Sequence, residues 1–408
     1  MPSLQDSAVH QSIDSPLMRR AGKDLLSLAL MDARNHSLHL AGQIERAMPL
    51  LRFQPAPDTQ RMAEVVPPLR QLGHMGWFQE FWIGRNTQRA LGARCPSAPT
   101  RLASVHPQAD LLWNPHTATL PERWAQQASG SAQPDLPAVK AYLLDTLEST
   151  LELLEKADDT DAALYFYRMA LSYEDQCAEQ LAVAAQVLGI PLAFEAALTL
   201  RAREPLLLPA TRWQLGSGAG GFYWDNEAPQ HEVAVPEFEI DAQPVSWAQY
   251  VEFVDDGGYD EREHWSPKGW DWLQRLAAAE GRRGPRFVEQ IGVASGAVMQ
   301  TRFGQAQRAA GASSALHLSW FEADAYAHWA GRRLPTEVEW EVAAHRAAGQ
   351  GFRWGDVWEW TASTFRPYPG YAPAPWHEYS AKGFEQCKVL RGASFATRAR
   401  MKTPKFRG

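Results

Sequence analysis

The sequence predicts two folds in series, an all-helical bundle followed by an irregular α+β domain. Two observations carry this. Apolar residues recur at helical spacing as far as Leu188, whereas from Arg212 onward short alternating runs are broken by turn residues. Most of the seventeen tryptophans fall from Trp213 onward, a shift in composition that separates the two halves. A length of 408 residues fits two domains. The expected boundaries are a polar tail over 1–21, the bundle over 22–205 and the second domain over 206–408, with Leu206-Leu207-Leu208-Pro209 as the exit linker.

In the first half, Lys23 to Met48 carries Leu25, Leu26, Leu28, Ala29 and Leu40 at helical spacing. Pro68 opens a second helix, expected to run through Trp77 and Trp82 to about Leu91. Arg94 to Pro134 is rich in Pro, Ser, Ala and Gln and reads as a long irregular connection. Asp135-Leu136-Pro137 places a capping carboxylate and a first-turn proline ahead of a third helix. A fourth covers Asp161 to Leu188 and stops at Gly189. Four long helices with one long crossover make a four-helix bundle. In the second half, strands are expected at Arg212 to Gly216, Val233 to Ile240 and Lys388 to Arg391. Helices are expected at Ser246 to Asp255, at Ser319 to Ala330 and after Thr336.

Composition excludes several functions. A net charge of −7 without a long basic run argues against nucleic acid as a partner. No run approaches the ~18 apolar residues that span a bilayer. Cys95, Cys177 and Cys387 are odd in number and far apart, so neither a disulfide framework nor a CxxC zinc pattern is present. With a polar stretch from Met1 to Leu17, this points to a reducing, cytoplasmic compartment.

The second half contains Gly221-Phe222-Tyr223-Trp224-Asp225-Asn226-Glu227, then Arg332-Arg333-Leu334-Pro335-Thr336-Glu337-Val338-Glu339-Trp340, Trp354-Gly355-Asp356-Val357-Trp358-Glu359-Trp360-Thr361 and Val389-Leu390-Arg391-Gly392-Ala393-Ser394-Phe395. In this order they resemble the formylglycine-generating-enzyme-like domain, a C-type-lectin-related fold. The first half holds Asp32-Ala33-Arg34-Asn35-His36, His74-Met75-Gly76-Trp77-Phe78-Gln79-Glu80-Phe81 and Tyr173-Glu174-Asp175-Gln176-Cys177-Ala178-Glu179. These resemble the DinB-like bundle that precedes such a domain in the ergothioneine/selenoneine-type sulfoxide (selenoxide) synthases, nearest the selenoneine synthase branch. The resemblance covers the chain from Gly22 onward.

The resemblance implies a non-haem Fe(II) centre between the domains. There dioxygen joins a thiol or selenosugar donor to the imidazole of trimethylhistidine. His74 matches the first histidine ligand of that family. Tyr173 and Cys177 stand in the other two histidine positions, still four residues apart on one helix face. A His74, Tyr173 and Cys177 set favours ferric iron, zinc or copper over ferrous iron. The alternative is a metal-free relative that binds a betaine-like ligand or a partner. Glu179 is the family's trailing acid, either orienting a ligand or lying on a solvated face. Gln176 is expected to meet the substrate imidazole, because an amide both donates and accepts. The run Trp358, Trp360, Phe365, Tyr368, Tyr371, Trp376 and Tyr379 offers faces to a quaternary ammonium, with Tyr371 or Tyr379 as proton donor. Arg366 and Arg391 are candidates for a donor carboxylate, with Arg85 and Arg101 behind them. Two departures from the family complete the expectation. Ala393 replaces a glycine and would be strained at positive φ. A further strand expected beyond Gly408 is absent, which predicts an open edge.

Overall fold

A computed structural model describes residues 12–51, 64–129, 134–194, 201, 203–291 and 297–408. The bundle is built from α1 (Lys23–Leu51), α2 (Pro68–Gln79), α5 (Leu136–Glu155) and α6 (Asp161–Leu188). The expected caps are in place. Asp135 accepts a hydrogen bond from the Ala138 N–H, and Gly189 ends α6 in the left-handed conformation at φ 68°. Leu26, Leu30, Leu143, Leu164, Phe166 and Leu181 form the apolar core. One cation ties four segments together at its centre. Arg34 on α1 reaches Glu174 on α6 at 2.7 and 3.0 Å, Gln79 on α2 at 2.8 Å, and the Leu143 carbonyl on α5.

Two expectations are corrected here. The second helix does not continue to Leu91. It passes into a π-helical turn over Glu80–Gly84, with a separate 3-10 turn at Arg89–Arg94. The connection after Arg94 is not irregular throughout: it contains α3 (Ala109–Trp113) and α4 (Leu120–Ser129). Trp113 on α3 lies flat against the backbone of α2 at Gly73, where a Cβ would come within 2.0 Å of its indole nitrogen. The proposed tail over 1–21 lies outside the described residues as far as 11. From there Pro16–Arg20 forms a 3-10 turn whose Arg19 forks onto Glu227, with one arm at 2.9 Å.

The second domain is made of small sheets rather than one large one. β1 (Leu206–Leu208) pairs antiparallel with β4 (Phe238–Ile240), and β2 (Thr211–Leu215) with β3 (His231–Val235). β5 (Val288–Ile291), β6 (Val298–Arg302) and β7 (Gln305–Ala309) form a meander, and β8 (Trp358–Thr364) pairs with β9 (Lys388–Gly392). Among the described residues five helices fill the spaces: α7 (Trp247–Asp255), α8 (Pro267–Glu280), α9 (Trp320–Trp329), α10 (Glu337–Arg346) and the single turn α11 (Glu378–Ala381). α7, α9 and α10 each begin with a complete capping box, at Ser246, Ser319 and Thr336. Ala393 carries no strain, because the positive φ falls on Gly392 at 94°. The edge of β9 is not open at Leu390, which exchanges both backbone hydrogen bonds with Gly408 at 2.8 and 3.1 Å. The tip of the β6–β7 hairpin, Phe303-Gly304, meets the end of α6. A Cβ on Gly304 would fall 2.2 Å from the Gly189 carbonyl oxygen.

The two halves share one apolar core, in which Phe222, Trp224, Phe303 and Phe406 pack with residues of the bundle. A buried polar seam runs beside it. Arg400 forks onto Asp175 at 2.7 and 2.9 Å and also reaches Asp32 at 2.7 Å. Glu179 accepts from the Trp358 indole at 2.7 Å and from the Ser394 and Thr397 hydroxyls. It is therefore a clamp on the second domain, not a solvated face. Removing Arg400 strips the buried Asp175 carboxyl of its partner in the interior. Arg400→Ala is expected to lower unfolding free energy by ~3–5 kcal/mol, read as a fall in the urea midpoint. Arg212→Ala breaks an exposed pair with Glu232 and is expected to move stability by less than ~0.5 kcal/mol.

Candidate functional site

Helix α6 presents Tyr173, Gln176 and Cys177 toward α2 and the second domain. His74 on α2 faces them. Its Nδ1 lies 2.8 Å from the Trp113 carbonyl oxygen, and its Nε2 lies 2.8 Å from the Tyr173 hydroxyl. A carbonyl only accepts, so Nδ1 carries the proton and Nε2 accepts from the Tyr173 O–H. The imidazole is neutral. Burial pushes its pKa down to about 4. Burial and the neighbouring Cys177 hold the Tyr173 hydroxyl well above its ordinary value, and burial pushes the Cys177 thiol up as well. These three side chains form a neutral, protonated cluster. Rings seal it: Phe78 lies 4.0 Å and Trp376 4.8 Å from the Tyr173 ring, and Trp77 stacks on His74 at 5.5 Å.

One turn along α6 the cluster opens. The Gln176 amide donates to the Tyr379 hydroxyl at 2.9 Å, and Gln176, Trp376 and Tyr379 are part-exposed. Tyr379 stacks on Trp224 at 4.1 Å and meets Trp376 at 5.2 Å. Burial raises the Tyr379 pKa, which keeps its proton in place. On α2's far side, Arg101 lies over the Phe81 ring at 3.5 Å, and its Nε and Nη2 meet no hydrogen-bond partner. Phe81 in turn stacks on Trp77 at 4.5 Å.

The ferrous ion implied by the resemblance needs three neutral-nitrogen or carboxylate donors with free lone pairs. The residues here do not fit it. The Nε2 lone pair of His74 is engaged by Tyr173, and the two remaining groups are a buried phenol and a fully buried thiol. Among the described residues no three His, Cys, Asp or Glu side chains converge.

The structure thus brings His74, Tyr173, Cys177, Gln176 and Tyr379 together and leaves other candidates elsewhere. Tyr371 donates to Asp225 at 2.7 Å. Arg366 is 65% exposed and pairs with Glu385. Arg391 is fully buried against Glu341, serving the fold. Arg85 is bound to Asp110 at 2.8 and 2.9 Å. Trp358 and Trp360 line a separate cavity of about 1160 Å³, bounded by Glu179, Val183 and Gln186 of α6 and by the second domain. Trp224, Phe78 and the Trp113 carbonyl were not singled out by sequence. Trp224 and Phe78 do lie within the strings that carry the family resemblance.

Three non-glycine residues at positive φ, Phe287, Phe303 and His317, line that cavity. His317 packs edge-on to Phe287 at 4.9 Å. Burial and the nearby Arg286 and Arg302 push its pKa down to about 4. An unfolded histidine protonates near pH ~6.5, so between there and about 4 the unfolded chain binds the extra proton. Stability therefore falls as pH is lowered through that window. His317→Asn tolerates the left-handed backbone and is expected to flatten this acid-side slope, measured by urea unfolding between pH 7 and pH 4. His36 and His74, also held near 4 by burial, keep their share.

Residues 192–356 match the sulfatase-modifying factor enzyme 1-like domain family. The chain is 30% identical to a hercynine oxygenase of Mycolicibacterium smegmatis, over 89% of this chain and 92% of that protein. It is 30% identical to the hercynine oxygenase of Mycobacterium tuberculosis, over 90% and 93%. The formylglycine-generating enzyme of Streptomyces coelicolor is 28% identical over 47% of this chain and 79% of that enzyme.

Proposed function

The chain belongs to the hercynine oxygenase family, the ergothioneine-type sulfoxide synthases with a formylglycine-generating-enzyme-like domain, and from that membership we propose that it takes hercynine at the Gln176–Tyr379 centre. The single observation that carries this assignment is the 2.9 Å hydrogen bond from Gln176 to Tyr379, set among part-exposed rings at the domain seam. The Gln176 amide spends an N–H on Tyr379 and keeps its carbonyl free to accept an imidazole N–H. Trp376, part-exposed, supplies a ring face for a quaternary ammonium. Tyr379 keeps an O–H to donate, whereas Tyr371 commits its own to Asp225, so the proton-donor role goes to Tyr379.

The second substrate in this reading is a thiol or selenosugar: its S–H or Se–H bond and the imidazole C–H bond break as the new bond to carbon forms, and dioxygen takes the two hydrogens as water and leaves its other oxygen on the sulfur or selenium. Arg101, whose Nε and Nη2 are buried against the Phe81 ring without a hydrogen-bond partner, is the candidate for a carboxylate on such a donor. A second reading, binding without turnover, is favoured by the hydrogen-bonded His74–Tyr173 pair.

Calorimetric titration with hercynine tests the assignment. Gln176→Leu and Tyr379→Phe each remove a hydrogen bond of ~1 kcal/mol and are expected to weaken binding about fivefold. Wild-type protein that ignores hercynine, or two variants that bind it as tightly as wild type, would sink the assignment. Arg101→Ala is expected to weaken a carboxylate-bearing thiol and to leave a neutral selenosugar unaffected, which separates the two donors.

A further inference from the structure

We infer that this centre is metal-independent: the Tyr173 hydroxyl stands in the coordination direction of His74 Nε2, and the site recognises its ligand without a metal ion. The inference goes beyond the hercynine reading and does not rest on it.

The distances make the case. A metal bound to imidazole sits ~2.0–2.1 Å from the nitrogen along its lone pair. On His74 that lone pair points at the Tyr173 oxygen, 2.8 Å away. An ion placed there would lie inside the hydrogen bond. Tyr173 would have to lose its proton and withdraw, yet its ring is wedged between Phe78 at 4.0 Å and Trp376 at 4.8 Å. Cys177, the remaining donor, is completely buried. Metal-binding histidines are held by a hydrogen bond from the second ring nitrogen. Here that support survives in Nδ1 and the Trp113 carbonyl. The scaffold is intact, and Tyr173 and Cys177 are what close it. Histidines at 173 and 177 would share one helix face and converge with His74.

The test is metal content of the full chain, loaded anaerobically with ferrous iron and, in separate samples, with zinc and copper, then desalted. Wild type is expected to hold no more of any metal than His74→Ala does. The double variant Tyr173→His/Cys177→His is expected to take up about one iron per chain and to give a ferrous–nitrosyl resonance that wild type lacks. Stoichiometric iron, zinc or copper in wild type that disappears in His74→Ala overturns the inference. A folded double variant without iron overturns the claim that these two side chains close the site. Should the double variant fail to fold, Tyr173→Phe replaces it. That variant leaves metal content unchanged if the centre is metal-independent, and lowers it if a phenolate is a ligand. Hercynine affinity is also expected to be the same with and without a chelator, and a chelator-induced loss overturns the inference. If hercynine fails to bind at all while wild type holds no metal, only the substrate assignment falls.

Discussion

Three acidic residues on α6 set the relation of every other part. Glu174, Asp175 and Glu179 leave the same two turns of helix in different directions. Each carboxylate is costly to bury alone and so must meet a partner. Glu174 finds Arg34 inside the bundle, Asp175 finds Arg400 in the second domain, and Glu179 takes three donors from β8 and from the turn after β9. The bundle and the second domain are therefore held at one angle by the Asp175–Arg400 pair and the three donors on Glu179. The apolar contacts of Phe222, Trp224, Phe303 and Phe406 supply area, but area is indifferent to register. The ionic contacts supply it.

That register decides the chemistry of the centre. Residues 173, 176 and 177 share the same stretch of helix as the three acids, so their positions against α2 and Trp376 are fixed by the same contacts. What the centre does then depends on side-chain atoms alone. A tyrosine and a cysteine in this setting stay protonated, because burial penalises both anions and outweighs the Arg123 charge that favours the Tyr173 phenolate. The part-exposed Gln176 and Tyr379, one turn away, are the residues to which the proposed reading assigns the ligand.

Legibility in the sequence followed range. The long helices, the Asp135 cap and the Gly189 stop depend on neighbours within a few residues, and all three could be read directly. β7 could not be read as a strand, because four of its five residues are exposed and show no alternation. α3 and α4 were hidden by the Pro- and Ser-rich text around them. Among site residues, His74, Tyr173 and Cys177 were found through a motif. The Trp113 carbonyl, 39 residues from His74, left no local trace. The aromatic run from Trp358 to Tyr379 was visible as a run, yet composition does not say which ring turns toward the seam. Trp376 and Tyr379 do, while Tyr371 and Arg366 turn away, and that choice is made by Asp225 and Glu385.

The contact of Gly304 with Gly189 has a consequence for how this protein tolerates change. In the meander that carries Gly304, β7 faces solvent at four of its five residues, so those four positions accept almost any polar text. Its tip does not. Two backbones touch there with no side chain between them, and the Phe303 N–H is read by Gln186 at 2.8 Å. The hairpin is thus a key whose outer strand drifts freely and whose bit is fixed by shape. Substitutions should accumulate along the exposed positions of β7 without a trace in stability, while a single methyl group at the bit unseats the wall of the cavity behind it.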